Sequence, residues 1–224
     1  MDAPFTYTER DPIMSTATLS PTSLDFGAPA SDDVIERTAE ALRARGYDVR
    51  IADDREQARE LALELIPAGS DVNQASSKTV DELGIGEALV ERAEYTALRP
   101  LLWSMDRATQ GKQIRQLGSG PDVVIGSIHA LTEDGVLLAS SMSGSQLGQY
   151  AGGAGKVVLV IGSQKIVPDL ATAFQRIDEH VVPLEDARAL QAYGMHTAQN
   201  KTLIMRGDLP GRVAIVLVKD AIGF

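Results

Sequence analysis

The chain has 224 residues, with 21 lysines and arginines against 31 aspartates and glutamates, and no cysteine. That length suits one large domain, and 44% hydrophobic with 23% charged residues is a globular balance that excludes global disorder. A formal charge of -10 argues against nucleic acid or an anionic membrane as main partner, and the lack of thiols excludes disulfides and thiolate-held metals or iron–sulfur clusters in this chain.

No apolar run approaches the roughly 18 to 20 residues needed to cross a bilayer. Residues 1–30 show neither the basic leader nor the apolar segment of a secretory signal, so a cytoplasmic protein is expected. Their Ser, Thr, Pro and Asp content predicts a loosely ordered tail or strap ahead of a single domain over residues 31–224.

The first predicted helix begins at Ser31. Asp32 and Asp33 complement its dipole, Val34, Thr38 and Leu42 repeat at helical spacing, and Gly46 stops it. Residues 47–52 alternate like a strand. Asp54 with Gln57 forms a capping-box pattern, and Ala58, Leu61, Ala62 and Leu65 share one helical face that ends at Pro67. Residues 70–75 read as a second strand. The order helix, strand, helix, strand predicts a parallel sheet covered by helices.

Residues 76–116 are mostly helical in pattern, with a break at Pro100 and a local excess of arginine and lysine. Tyr95, Trp103 and Met105 are expected to pack in the interior. PDVVIGS (residues 121–127) and VVLVIG (157–162) are the continuous apolar runs of buried strands, with GVLLAS (135–140) between them. Pro168 opens a helix carrying Leu170, Phe174 and Ile177, and residues 213–218 supply a last strand. There is no internal repeat and no linker. The prediction is one α/β domain.

Most chemical motifs fail on inspection. GGAGK at residues 152–156 lacks the first glycine and the closing Ser or Thr of a phosphate loop, and it precedes a strand rather than a helix, which makes it a turn. Dinucleotide and serine-hydrolase fingerprints are absent. His129, His180 and His196 lack metal-ligand spacing, so no metal site is expected, and the residues name no cofactor. Two segments remain. Ser76, Ser77, Lys78 and Thr79 follow a strand at a helix start, where hydroxyls, amides and a lysine suit a small anion, and where a serine or threonine serves equally as a cap. Residues 126–140 run strand, turn, strand, with Thr132, Glu133, Asp134 and Gly135 at the turn; Asp-Gly is also an ordinary hairpin turn.

The blocks IPAGSDVNQASSKTVDELGI, DVVIGSIHALTEDGVLLAS, VVLVIGSQKIVPDLATAFQRI and VLVKDAIGF, in that order, resemble the LUD-domain (lactate utilisation domain) family from about Ile51 to the C-terminus. The resemblance implies a three-layer, Rossmann-like α/β fold with an open, mostly parallel sheet, similar to the sugar-phosphate isomerase and class I CoA-transferase superfamily. It implies a part in oxidising L-lactate to pyruvate beside separate iron–sulfur or flavin subunits, the chain itself having no thiolates. It also offers an acyl- or CoA-transferase-like reading in which Thr132-Glu133-Asp134-Gly135 resembles the catalytic glutamate turn, with Glu133 as nucleophile or base, and a third reading as a non-catalytic binder of an organic acid or nucleotide. Lys165 matches a recurrent family lysine, either a site cation or a solvated strand-end lysine.

The sequence departs from the family pattern at three places. Ala75-Ser76-Ser77 stands where Gly-Gly-Ser is common, and His129 where asparagine is common. SGSQLGQY lacks the arginine that related chains carry there. Ser76, Ser77, Lys78, Thr79, His129 and Lys165 are therefore the candidate ligand residues, Glu133 the candidate catalytic one, and a small anion the candidate ligand. A homo-oligomer is compatible with the composition.

Overall fold

The two strongest apolar runs lie side by side, with Val157 to Gly162 in parallel register with Val213 to Val218. Strands covered on both faces need continuous apolar sequence, and every residue from Val157 to Gly162 and from Val213 to Val218 is buried. This computed structural model describes residues 24–224, so residues 1–23 of the tail expected over residues 1–30 lie outside the described residues.

The strands, in chain order, are β1 (Asp48–Ala52), β2 (Asp71–Gln74), β3 (Thr96–Ala97), β4 (Val123–Gly126), β5 (Ala130–Thr132), β6 (Leu137–Ser141), β7 (Lys156–Gly162), β8 (Ile166–Val167), β9 (Lys201–Met205) and β10 (Val213–Val218). The helices are α1 (Asp32–Ala44), α2 (Arg55–Glu64), α3 (Lys78–Glu82), α4 (Ile85–Glu91), α5 (Leu98–Ser104), α6 (Arg107–Ser119), α7 (Leu170–Arg176) and α8 (Val182–Tyr193), with a π turn at Ile177–Val181 joining the last two. Six strands form a sheet in the order β1-β10-β7-β4-β2-β3, parallel throughout. This is the helix-covered parallel sheet that the alternation predicts, and the Rossmann-like α/β arrangement that the family resemblance implies.

Side chains of these strands alternate between two cores. Val49, Val157, Leu159, Ile215 and Leu217 face α1 through Ile35, Ala39 and Leu42. Val158, Val160, Ala214 and Val216 face the opposite way, onto Ala58 and Ala62 of α2, Val80 of α3 and Ile85 of α4. Helices on both faces satisfy a sheet with no polar side. Local signals hold where they are specific: Asp54 accepts from the Gln57 N–H at 2.9 Å, and the Gln57 side chain accepts from the Asp53 N–H at 2.7 Å.

A second sheet was not legible as such. Strands β8-β5-β6-β9 form a small mixed sheet, with β5 and β6 as the hairpin predicted from Asp134-Gly135. Gly135 has φ +86°, and a Cβ there would meet the backbone of Ala41 and Leu42 at 3.1 Å, so the turn demands glycine twice over. One face of this sheet joins the α1 core through Leu131, Leu137 and Ala139, and the other packs under Ala173 and Ile177. Phe26 adds to that lower core, which puts residues 24–30 against the domain.

Two local expectations are corrected. Pro100 lies in the first turn of α5, where its missing N–H costs nothing, and does not break a helix. Trp103 is 61% exposed, with the Arg99 guanidinium 4.6 Å above its ring, rather than packed inside. Among the described residues no helix is long and apolar enough to cross a membrane.

Candidate functional site

Parallel strands all end on one edge of the sheet, and the loops beyond β2, β4 and β7 converge there. They line a cavity of about 270 Å³, closed from the other side by the end of β6, the following serine-rich loop and α8. Six of the seven residues expected from sequence sit on its wall: Ser76, Ser77, Lys78, Thr79, His129 and Lys165.

Of the two roles their pattern allowed, the residues after β2 show the helix cap, and they also line the cavity. Ser77 caps α3, accepting from the Val80 N–H at 3.4 Å. Ser76, Lys78 and Thr79 join it at the cavity. Lys78 is partly exposed, 3.7 Å from Glu82, whereas Thr79 is 1% exposed and hydrogen-bonded to the carbonyl of Ile222 at 3.3 Å.

Lys165 is 3% exposed, so it is no solvated strand-end lysine. It follows β7 in a 3-10 turn, Ser163–Lys165, which aims its side chain back under the ends of β2 and β4. Its ammonium donates to Thr79 Oγ1 at 2.8 Å, to Ser127 Oγ at 3.0 Å and to the Ile128 carbonyl at 3.1 Å. Burial, then the positive charge of Arg176, lower its pKa to about 7, against a smaller opposing pull from Glu82.

Arg176 was not legible as a site residue. It is fully buried one layer below, donating to the carbonyls of Gln164, His129 and Phe26. No described carboxylate lies within 4 Å of Arg176 or Lys165; their partners are hydroxyls and carbonyls. Burial alone lowers the Arg176 pKa to about 10, still well above neutrality. The sequence signal is faint: an arginine beside the apolar stripe of Leu170, Ala173 and Ile177.

His129 stands at the start of β5, its Nδ1 accepting from the Ser140 N–H at 3.0 Å. Burial, with the charges of Lys165 and Arg176 behind it, pushes its pKa down to about 3, so the ring is neutral and its remaining proton is on Nε2. Ser127, Ser140, Ser141, Ser143, Arg99 and Arg188 also line the cavity without having been singled out. The two arginines bring positive charge to the wall from α5 and α8, although SGSQLGQY carries none. Arg188 is paired with Glu185 at 2.6 Å and Arg99 with Asp81 at 3.6 Å.

Glu133 does not join this group. A hairpin reverses the chain, so its turn hangs at the end of β5 and β6 remote from His129 and Ser140. There Glu133 lies 3.5 Å from Arg37, and its neighbour Asp134 is held by Arg45 at 2.9 Å, which fastens the turn to α1. Glu133, the candidate catalytic residue, is therefore the one expected site residue that does not line the cavity with the loop after β2. Among the described residues no cluster of His, Asp and Glu suits a metal ion.

The model of the LUD domain family matches residues 35–218. A solved DUF162 family protein from Deinococcus radiodurans is similar in fold at 13% identity, with a TM-score of 0.52, covering 85% of this chain and 99% of its own. Weaker likenesses are to the tetrameric eIF2B-beta2-delta2 complex from C. thermophilum (17% identity, TM-score 0.35, covering 74% of this chain and 53% of that one) and to ribose 5 phosphate isomerase A from Neisseria gonorrhoeae (14%, 0.31, 64% and 57%). No curated protein matches the chain. With the family model spanning nearly the whole described domain, the chain belongs to the LUD domain family.

Proposed function

We propose that the cavity binds a small organic anion, and that the chain serves L-lactate utilisation in that way, beside separate redox subunits. One observation carries the anion reading. Lys165 is buried at the cavity floor and Arg176 is buried beneath it, neither with a described carboxylate within 4 Å. Buried charge is costly unless paired, so an arriving carboxylate or phosphate finds a floor ammonium that no described carboxylate pairs directly. Hydroxyls of Ser76 and Ser127 and the Nε2–H of His129 supply neutral donors around it. A 2-hydroxy or 2-oxo acid of the lactate and pyruvate class has the size and charge for about 270 Å³ of space.

The lactate assignment rests on the family resemblance, and the need for a redox partner on the absence of thiolates in this chain. The glutamate-turn reading draws no support from the position of Glu133. The test is calorimetric titration and thermal shift with L-lactate, pyruvate and phosphate against neutral lactamide. Anions should raise the melting temperature by mass action and lactamide should not. Equal shifts with lactamide, or none with any anion, sink the proposal. Affinity purification of the tagged chain from lactate-grown cells should retrieve an iron–sulfur or flavin subunit.

A further inference from the structure

Ser127 Oγ lies 3.0 Å from Lys165 Nζ on the wall of the cavity. That is hydrogen-bond reach between a hydroxyl and an amine, the geometry a nucleophile and its base require. Three features single out Ser127 among the hydroxyls nearby. It follows β4 directly, at a rigid strand end. Its other hydrogen bond, to the Ile128 carbonyl, is long at 3.4 Å, so its proton is weakly held. Thr79, the other hydroxyl on Lys165, is 1% exposed and has Ile222 as acceptor.

The surroundings suit a lysine acting as base. The charged groups acting on Lys165 are Arg176 from α7, which favours the neutral amine, and Glu82 from α3, whose opposing effect is the smallest of the three causes. His129 beside it is neutral. At the same separation a neutral amine turns its lone pair to the Ser127 proton.

We propose that Ser127 and Lys165 form a nucleophile–base dyad that transfers the acyl group of an ester or thioester of a small carboxylic acid. Ser127 Oγ adds to the acyl carbonyl and passes its proton to Lys165 Nζ. The tetrahedral adduct collapses, the bond to the leaving group breaks, and the ammonium returns the proton to the departing alkoxide or thiolate. Water then attacks the acyl-serine, gives its proton to the same amine, and releases the acid as Ser127 is reprotonated. Nothing is oxidised or reduced. The dyad shares its cavity with the proposed anion site, whose wall also carries Lys78, Arg99 and Arg188, each within 4 Å of a carboxylate (Glu82, Asp81 and Glu185).

The probe is p-nitrophenyl acetate on the full chain, with acylation followed by intact mass and peptide mapping. The expected result is one acetyl group on Ser127, absent from Ser127→Ala, retained in Ser143→Ala, and formed roughly a hundredfold more slowly in Lys165→Met. Acetylation that persists at full rate in Ser127→Ala, or that maps to lysines, overturns the proposal. A second readout covers the chance that Lys165→Met misfolds. Ser127→Cys gives the chain its only thiol, and the pH dependence of its alkylation by iodoacetamide reports the thiol pKa. A value well below the ordinary ~8.5 supports a dyad, and a value at or above it overturns one. The anion-dependent thermal shift of the natural chain is read independently of its acylation, so failure of the dyad and failure of the anion site are distinguished.

Discussion

The Lys165 ammonium and the Thr79 hydroxyl, 86 residues apart in the chain, meet at 2.8 Å. The bond ties the end of β7 to the start of α3 beneath β4, so the cavity floor is assembled from three strand ends. The charge at this floor makes several outcomes measurable.

Lys165→Met replaces a buried cation by an apolar side chain of similar length. Thr79 and Ser127 keep their bonds to the Ile222 and Ile128 carbonyls, and the cost of burying an unpaired charge disappears. Stability in urea should therefore fall by no more than about 1 kcal/mol or should rise, while the anion-dependent thermal shift is lost. A drop of several kcal/mol contradicts this account of the floor.

Stability should climb with pH in two windows. The pKa of Lys165 is lowered from 10.5 to about 7, so between those values the unfolded chain binds more protons than the folded one. Its penalty is complete below pH 7 and is relieved as the pH rises through that window, with a slope approaching roughly 1.4 kcal/mol per pH unit. His129, lowered from 6.5 to about 3, acts with the same sign between those values. Urea titrations from pH 7 to 10 should show the upward slope in the natural chain and a flatter one in Lys165→Met. Anion affinity should run the opposite way, weakening above pH 7 as the lysine loses its charge.

Gly126→Ala should cost roughly 2 kcal/mol. A Cβ there would lie 1.9 Å from Tyr150 Oη and 3.0 Å from the Ala75 side chain. Tyr150 is 1% exposed, and its hydroxyl donates to the Ser127 carbonyl at 3.2 Å, so it has little room to retreat. A double-mutant cycle with Tyr150→Phe should recover part of the loss, because the nearest obstructing atom is gone. Strict additivity would place the strain elsewhere.

Glu133→Gln should change stability by less than about 0.5 kcal/mol, since its Arg37 partner is an exposed, 3.5 Å contact. It should leave both the anion-dependent thermal shift and the acylation of Ser127 intact. Loss of either would return the hairpin turn to the site.

How much was legible can be argued residue by residue. Val157 to Ile161 and Val213 to Val218 announce buried parallel strands because no other element needs an unbroken apolar run of that length. Asp54 with Gln57 and the Asp134-Gly135 turn announce local geometry that depends only on neighbours in sequence. The residues after β2 were visible as polar groups at a strand end, where parallel sheets place their ligands, and Lys165 through the family resemblance. Arg176 was not, because its role depends on which carbonyls surround it. Glu133 was misplaced because a turn motif does not state which end of the hairpin faces the cleft.

By itself, then, the sequence determined a cysteine-free, acidic α/β chain with a parallel sheet, since periodicity and composition act through near neighbours. Only the tertiary structure decided that Ser127, Thr79 and Lys165 share one buried hydrogen-bond cluster, and that Arg176 lies beneath it with no described carboxylate within 4 Å. Contacts over 38 and 86 residues follow from strand order, and burial, which sets the lysine's charge, exists only once the layers have packed.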